Sequence, residues 1–107
     1  MLKTVRRRYL AVKVDAAQPV EERELKNAIW NMIERLFGEY GASKTGFVLI
    51  NYDATKKYAV LRCANKMLEA FRASLASLTE VNGKPAVIHV LGVSGTLKSL
   101  ERKFPPK

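Results

Sequence analysis

Apolar and polar residues alternate near the start of the chain. From Arg8 to Val14, the apolar residues Leu10, Val12 and Val14 fall on one side of an extended backbone, and the residues between them fall on the other. A period of two is typical of a β-strand with one buried face. We therefore predict a first strand here.

A period of three to four follows. Pro19 and a group of glutamates precede it, and carboxylates are stabilised at the positive end of a helix dipole. Apolar residues then recur at helical spacing from Leu25 to Tyr40, which predicts an amphipathic helix on a core. Gly38 and Gly41 favour left-handed backbone, so we expect the helix to end within residues 37–41.

The next segment predicts two strands, a helix and another strand. Gly46–Tyr52 and Lys57–Cys63 are rich in β-favouring residues, and the polar connector between them is short enough for an antiparallel hairpin. Asn65 is expected to cap a second amphipathic helix. After a turn at residues 82–83, Ala86–Val93 is expected to form the fourth strand.

The last residues predict a short third helix. Ser94 or Thr96 is a candidate cap, and Leu97, Leu100 and Phe104 follow at helical spacing. The resulting order β-α-β-β-α-β is the split βαβ plan of an α/β (α+β) domain, with a four-stranded antiparallel sheet and both long helices on one face. The other face is expected to be open. A chain of 107 residues supports one core, so residues 1–107 are expected to form a single domain.

The charge of the chain narrows the classes of partner. Nineteen lysines and arginines against 10 acidic residues leave a net charge of +9, which attracts polyanions such as nucleic acid. The sequence has no lipidation motif, no basic amphipathic helix and no run approaching the roughly 20 apolar residues of a membrane span. We expect a soluble cytoplasmic protein that does not bind membranes.

The titratable residues do not form a catalytic or metal-binding pattern. His89 is the only histidine and lies on an apolar strand, where we expect a partly buried, hydrogen-bonded imidazole. Cys63 is the only cysteine, which excludes an intrachain disulfide and a cysteine-rich zinc site. Small acyl-phosphate hydrolases share this fold plan, but their phosphate-binding glycines and arginine are missing after the first strand.

The basic residues are better organised, and we regard them as candidates for RNA binding. Tyr9 and Lys13 on the first strand can share the open face with Tyr58 and Arg62 on the third, where bases could stack. The alternative is that the tyrosines pack beneath the third helix or against a protein. Backbone amides at Ser94, Gly95 and Thr96 offer either a phosphate seat or an ordinary helix cap. The other basic candidates are Lys3, Arg6, Arg7, Arg8, Lys56, Lys57, Lys98, Arg102 and Lys103.

From Arg8 to Lys103, the chain resembles archaeal ribonuclease P protein component 2, the counterpart of a eukaryotic subunit shared by ribonucleases P and MRP. The resemblance depends on RRRYLAVKV at the start, LFGEYGAS after the first helix, and the long segment from VLRCANKMLEAFRASLASLTEVNGK to VLGVSGTLKSLERK. It implies a ferredoxin-like or RNA-recognition-like sandwich. The chain ends soon after SGTLKSLERK, so contacts made by any longer C-terminal helices of relatives would be absent.

The resemblance also implies a function and partners. The family belongs to the ribonucleoprotein that removes the 5′ leader of precursor tRNA, in which the RNA carries the magnesium-dependent cleavage. The chain would then have no catalytic residue and no cofactor, and the Mg²⁺ would be bound by the RNA. Expected partners are the ribonuclease P RNA, precursor tRNA indirectly, the TIM-barrel-like protein component 3, and a second copy of this chain within a heterotetramer.

Two hypotheses about contacts follow from this resemblance. Arg6, Arg7 and Arg8, with Lys3 beside them, are expected to lie along the RNA backbone and to lower the magnesium requirement. Apolar residues expected to meet the protein partner are Trp30, Leu97, Leu100 and Phe104. The alternative for Trp30 is the rim of the core. The second candidate function is a ribosomal or other RNA-scaffold protein with the same sandwich, and a small hydrolase is the third.

Overall fold

The computed structural model describes residues 6–105. Two α-helices and one short helix accompany five strands, with a single 3-10 turn before the second helix. In chain order the elements are β1 (Arg7–Ala16), α1 (Glu22–Thr45), β2 (Val48–Asp53), β3 (Tyr58–Ala64), the 3-10 turn (Asn65–Met67), α2 (Leu68–Ser77), β4 (Glu80–Val81), β5 (Lys84–Ser94) and α3 (Leu97–Lys103).

The five strands form one antiparallel sheet in the order β2-β3-β1-β5-β4. The predicted α/β sandwich, with its elements in the order β-α-β-β-α-β along the chain, is confirmed. The strand count differs by one, because the chain before the 82–83 turn is long enough to pair with β5. Asn82 and Gly83 both have positive φ, 51° and 80°, which closes this hairpin.

The main core lies between the sheet and the helices α1 and α2. Strand β1 contributes Leu10, Val12 and Val14, which are at most 1% exposed, so the predicted buried side of this strand is confirmed. Phe71 of α2 is fully buried, and its ring lies 5.3 Å from the ring of Phe47. Fully burying one such apolar side chain stabilises a fold by about 1.5–3 kcal/mol. Other fully buried residues of this core are Leu25, Ile29, Ile33 and Leu61.

Helix α1 extends further than the sequence predicts. Gly38 has φ 73° and ψ 174°, so it leaves helical geometry at the expected place. The chain then resumes a helical path until Thr45, and Gly46 ends it with left-handed backbone at φ 61°. The predicted break in the helix within residues 37–41 is confirmed at Gly38, but a second helical segment follows it, so α1 as a whole ends later, at Thr45.

Helix α3 crosses the face of the sheet that we expected to be open. Leu100 is fully buried against Ala11, Val60 and Tyr58, which form a second apolar cluster on this side of the sheet. The Tyr58 hydroxyl donates a hydrogen bond of 2.7 Å to the backbone carbonyl of Phe104. The expectation of an open face therefore needs correction, because the apolar side of the last helix buries itself against the middle of the sheet.

The residue at position 92 permits this packing. Gly92 pairs with Ala11 in the sheet and lies directly beneath the ring of Phe104. A Cβ atom at Gly92 would overlap the Phe104 ring. Because only glycine leaves room for the ring, α3 can approach the sheet closely at this point.

We expect Gly92→Ala to destabilise the fold by about 1–3 kcal/mol, because the added methyl group forces the ring and α3 away from the sheet. Urea denaturation of the wild-type and variant chains, followed by circular dichroism, measures the change in the free energy of unfolding.

Phe104→Ala provides the control for this prediction. In that background the ring is absent, so adding Gly92→Ala should cost much less than it does in the wild type. An equal cost in both backgrounds would contradict the packing of Phe104 over Gly92.

Candidate nucleic-acid interface

The three arginines at the start of β1 do not share one face. Successive side chains of a strand point to opposite faces, so Arg7 lies on the α3 side and Arg8 on the side of the long helices. The Arg8 Nε atom donates a hydrogen bond of 2.7 Å to Asn65 Oδ1. Arg6 and Arg7 are exposed, whereas Arg8 is partly buried. Lys3 lies outside the described residues.

Asn65 therefore has a different role from the predicted helix cap. Its side chain binds Arg8, and its backbone N–H donates a hydrogen bond of 2.8 Å to the carbonyl of Arg6. The chain forms a 3-10 turn at this point before α2 begins at Leu68. Arg8 thus ties the start of β1 to the start of α2, and Arg6 and Arg7 are the two arginines of the block that face solvent.

Charge is distributed unevenly between the two layers of the molecule. Helix α1 contains four acidic and four basic residues, and α2 contains one of each. On the opposite side, α3 carries three basic residues, Lys98, Arg102 and Lys103, against the single acid Glu101. Arg7, Lys13 and Arg62 of the central strands lie on this same side. The excess positive charge of the chain is therefore concentrated on the α3 side.

Arg62 lies at the centre of this basic surface. It pairs with Tyr9 of β1 on one side and with Val48 of β2 on the other. Its Nε atom is buried and has no hydrogen-bond partner within residues 6–105. An unsatisfied buried donor costs about 1–3 kcal/mol.

The two tyrosines predicted to stack on bases have different environments. Tyr9 is partly exposed, whereas Tyr58 is only 5% exposed because α3 covers it. Burial, with a smaller contribution from the Glu101 carboxylate, raises the pKa of the Tyr58 phenol. Base stacking by Tyr58 is incompatible with this packing, and its role is the alternative that the sequence left open, namely a place beneath the third helix.

The two lysines of the hairpin between β2 and β3 have different environments. The Lys57 ammonium group donates a hydrogen bond of 3.2 Å to the carbonyl of Ala16, and the Lys57 carbonyl accepts one of 2.8 Å from the Val14 amide. Lys56 makes no such contact with β1 and is exposed above Lys13. Lys57 therefore holds the hairpin to β1, while Lys56 is available to a ligand.

A basic groove runs from the end of α3 to this hairpin. It consists of two adjoining cavities of about 340 and 540 Å³, and Lys13 and Lys56 line both. His89 lines the second cavity, 57% of its side chain is exposed, and its Nε2 atom lies 3.9 Å from the Asp15 carboxylate. The expectation of a partly buried histidine is wrong, because β5 turns this residue away from the core.

The segment before α3 makes hydrogen bonds within the protein. Thr96 Oγ1 accepts a hydrogen bond of 3.2 Å from the Ser99 amide, which confirms Thr96 as the helix cap. Ser94 Oγ accepts one of 3.4 Å from the Thr96 amide. Gly95 lies beside the Arg8 guanidinium. Of the two readings of this segment, the structure favours the helix cap over the phosphate seat.

The residues expected to contact a protein partner lie mostly against the chain's own core. Leu100 is fully buried, which corrects its assignment to a partner surface, and Leu97 and Phe104 are partly buried in the same cluster. Trp30 is partly buried, and its ring meets Phe47 edge to face at 5.5 Å. The interpretation of Trp30 as the rim of the core agrees with this geometry.

A group of exposed apolar residues lies instead at the kink of α1. Leu36, Phe37 and Tyr40 are 43%, 38% and 74% exposed. Their helical spacing continues the buried stripe and predicted that they are buried too. Gly38 was the available signal for Tyr40, since the break in helical geometry at Gly38 means that the spacing does not continue unchanged through it.

Neither a metal-binding cluster nor a membrane-spanning helix is found in the described residues. Between Arg6 and Pro105, no group of three or more histidine, cysteine or acidic side chains is placed to hold a metal ion. None of the helices in this range is long and apolar enough to span a bilayer. The features that stand out are the basic groove and the exposed apolar surface.

Comparison with known proteins gives consistent results. The profile of the Rpp14/Pop5 family matches residues 8–105. Ribonuclease P protein component 2 of Pyrococcus furiosus is 40% identical over 92% of this chain and 82% of its own length. The proteins of the same name from Thermococcus kodakarensis and Methanosarcina barkeri are 35% and 33% identical, over 91% and 92% of this chain and 81% and 72% of theirs.

The fold also has a counterpart among solved structures. A chain in the cryo-EM structure of yeast ribonuclease MRP superimposes with a TM-score of 0.72 at 17% sequence identity. The match covers 89% of this chain and 79% of the yeast chain. At this identity the likeness shows a shared fold.

Cys63 gives a direct test of the packing behind the basic face. Its thiol is fully buried, and burial raises its pKa to about 11. We expect Ellman's reagent at pH 8 to modify the native chain at least about 100-fold more slowly than the unfolded chain, because the thiolate is the reactive form. Unfolding in guanidinium chloride is the control, and rapid modification of the native chain would contradict the burial of Cys63.

Proposed function

Because the chain belongs to the Rpp14/Pop5 family, we propose that it is protein component 2 of a ribonuclease P, the ribonucleoprotein that removes the 5′ leader of precursor tRNA. The observation that carries this proposal is the separation of charge between the layers. A nearly neutral helical layer lies on one side of the sheet, and a surface rich in lysine and arginine lies on the other. Such a surface suits a polyanion with closely spaced phosphates.

The physical role of the chain is to neutralise phosphates of the RNA. A folded catalytic RNA brings phosphates together, and their repulsion is otherwise reduced by magnesium ions. Each phosphate that a lysine or arginine neutralises releases condensed counterions, so binding weakens steeply as salt rises. In this proposal the RNA carries the magnesium-dependent cleavage, and the chain stabilises the active conformation of the RNA.

Arginine is suited to the most exposed positions of this surface. The guanidinium group of Arg6 or Arg7 can donate two parallel hydrogen bonds to one phosphate, which a lysine cannot do. Arg8 contributes differently, because its Nε atom is already bound to Asn65. The original hypothesis of three arginines along the RNA backbone is therefore narrowed to the exposed pair, with Lys3 still a candidate beside it.

A protein partner is assigned to the other exposed feature. The surface formed by Leu36, Phe37 and Tyr40 is apolar and aromatic, the composition that is enriched at the centres of protein interfaces. It lies on α1, away from the basic groove. We therefore assign protein component 3, or a second copy of this chain, to the end of α1, so that RNA and protein occupy different sides.

We expect the double variant Arg6→Gln/Arg7→Gln to raise the magnesium concentration needed for half-maximal cleavage by the reconstituted holoenzyme. Its affinity for the ribonuclease P RNA should also depend less on salt, with the slope of log Kd against log salt smaller by about two, one for each lost phosphate contact. Filter binding at several salt concentrations measures the slope, and a magnesium titration of tRNA processing measures the requirement.

Arg35→Gln/Arg72→Gln is the matched control. Both residues are exposed on the helical layer, and the variant loses the same charge. Its salt slope and magnesium requirement should stay close to those of the wild type. If the two double variants behave alike, the total charge matters and not its position, which would contradict the proposed interface.

A further inference from the structure

The smaller of the two cavities in the basic groove has an apolar wall. It lies between the end of α3 and the sheet, with a volume of about 340 Å³, within the range of about 300–1,000 Å³ that small-molecule sites occupy. Leu91, Phe104 and Pro105 line it from two sides, and Tyr58 lies at its base. A flat apolar group would find contact area here that a bare phosphate would not use.

Irregular backbone creates this wall. The register between β1 and β5 shifts so that Ala11 pairs with Gly92 and Val12 pairs with Val90, which leaves Leu91 without a cross-strand partner. A bulge of this kind redirects a side chain, and Leu91 is 44% exposed toward the cavity. Gly92 allows the ring of Phe104 to come close beside it. The cavity therefore depends on two adjacent features of β5: the bulge at Leu91 and the missing side chain at Gly92.

Positive charge surrounds the apolar wall. The ammonium-bearing side chains of Lys13, Lys56 and Lys103 come from three different elements and line the same cavity. No acidic residue of the described chain lines it. The adjoining cavity continues the path with Lys13, Lys56, Lys57 and the hydroxyl-bearing Thr55, and its lining contains one carboxylate, Asp15, beside His89. A ligand that fits both parts is flat and apolar at one end, anionic at the other, and continues as a charged chain.

We propose that this cavity binds one unpaired nucleotide of the RNA, with its base against Leu91 and Phe104 and its phosphate among the three lysines. The neighbouring phosphate lies in the adjoining cavity. The choice of RNA as the ligand rests on the function proposed above. A base held in a duplex cannot enter the cavity, so the site selects a single-stranded or bulged nucleotide. The cavity thus adds a contact with a base to a surface that otherwise contacts phosphates.

The test compares two fluorescein-labelled oligomers that bind to the whole chain, measured by fluorescence anisotropy. One is a single-stranded hexamer of uridine, and the other has the same backbone and charge with abasic sites at every position. Contact between a base and such a platform is worth up to about two orders of magnitude in affinity. We expect the wild-type chain to bind the uridine hexamer about tenfold more tightly than the abasic hexamer.

Leu91→Glu should remove this preference, because it places a carboxylate where the base lies. Val87→Glu is the matched control, since Val87 is 47% exposed on the same strand, lies outside the cavity and takes the same charge change. Val87→Glu should keep the tenfold preference. Leu91→Ala, which adds no charge, should reduce the preference about threefold, so the result does not depend on whether Leu91→Glu folds.

Three results would overturn the proposal: no binding of the uridine hexamer, equal binding of the two hexamers, or a preference that survives both substitutions at Leu91. Equal affinity for the two hexamers would mean that the groove binds only phosphates, or that its ligand is an acidic segment of a protein. These outcomes are separate from those of the holoenzyme experiments, because the oligomers need neither the ribonuclease P RNA nor tRNA processing. The chain could stabilise the catalytic RNA without this pocket, and it could have this pocket without serving in ribonuclease P.

Discussion

The structure depends on the two faces of the central strand β1. Leu10, Val12 and Val14 pack against the long helices, while the intervening residues face α3. The small side chain of Ala11 lets Leu100 bury itself on the second face, and Gly92 lets the Phe104 ring follow. One strand thus joins a large core on one side to a smaller cluster on the other, and α3 is held where its cations surround the groove.

This arrangement explains how a small protein with a large net charge remains folded. The helical layer balances its own charges, so it can pack closely and present an apolar surface at the kink of α1 without strong repulsion. The excess cations are placed at strand ends, on the hairpin and on the outer side of α3, where solvent screens them until a polyanion binds. In the proposed function, binding to RNA would remove this repulsion between cations.

Most of the fold could be predicted from the periodicity of the sequence, whereas the basic groove could be predicted only in part. The alternation in β1 and the helical spacing from Leu25 onward predicted the order of elements, because each pattern matches one geometry. Alternation also places Arg7 and Arg8 on opposite faces, so the hypothesis that both lie along the RNA backbone needed this additional step. The position of α3 could not be read from its own spacing, because an amphipathic helix fits a sheet face and a partner equally well. Ala11 and Gly92, small residues opposite each other, were the signal for its docking site.

The central claim is that RNA binds the side of the sheet that α3 crosses. Lysine acetylation of the free chain and of its complex with ribonuclease P RNA, read by mass spectrometry, tests it most directly. The account predicts that Lys13, Lys56, Lys98 and Lys103 become protected in the complex, while Lys26 and Lys44 of helix α1 react at the same rate as before. Protection of the helical lysines, with the groove lysines still reactive, would contradict it.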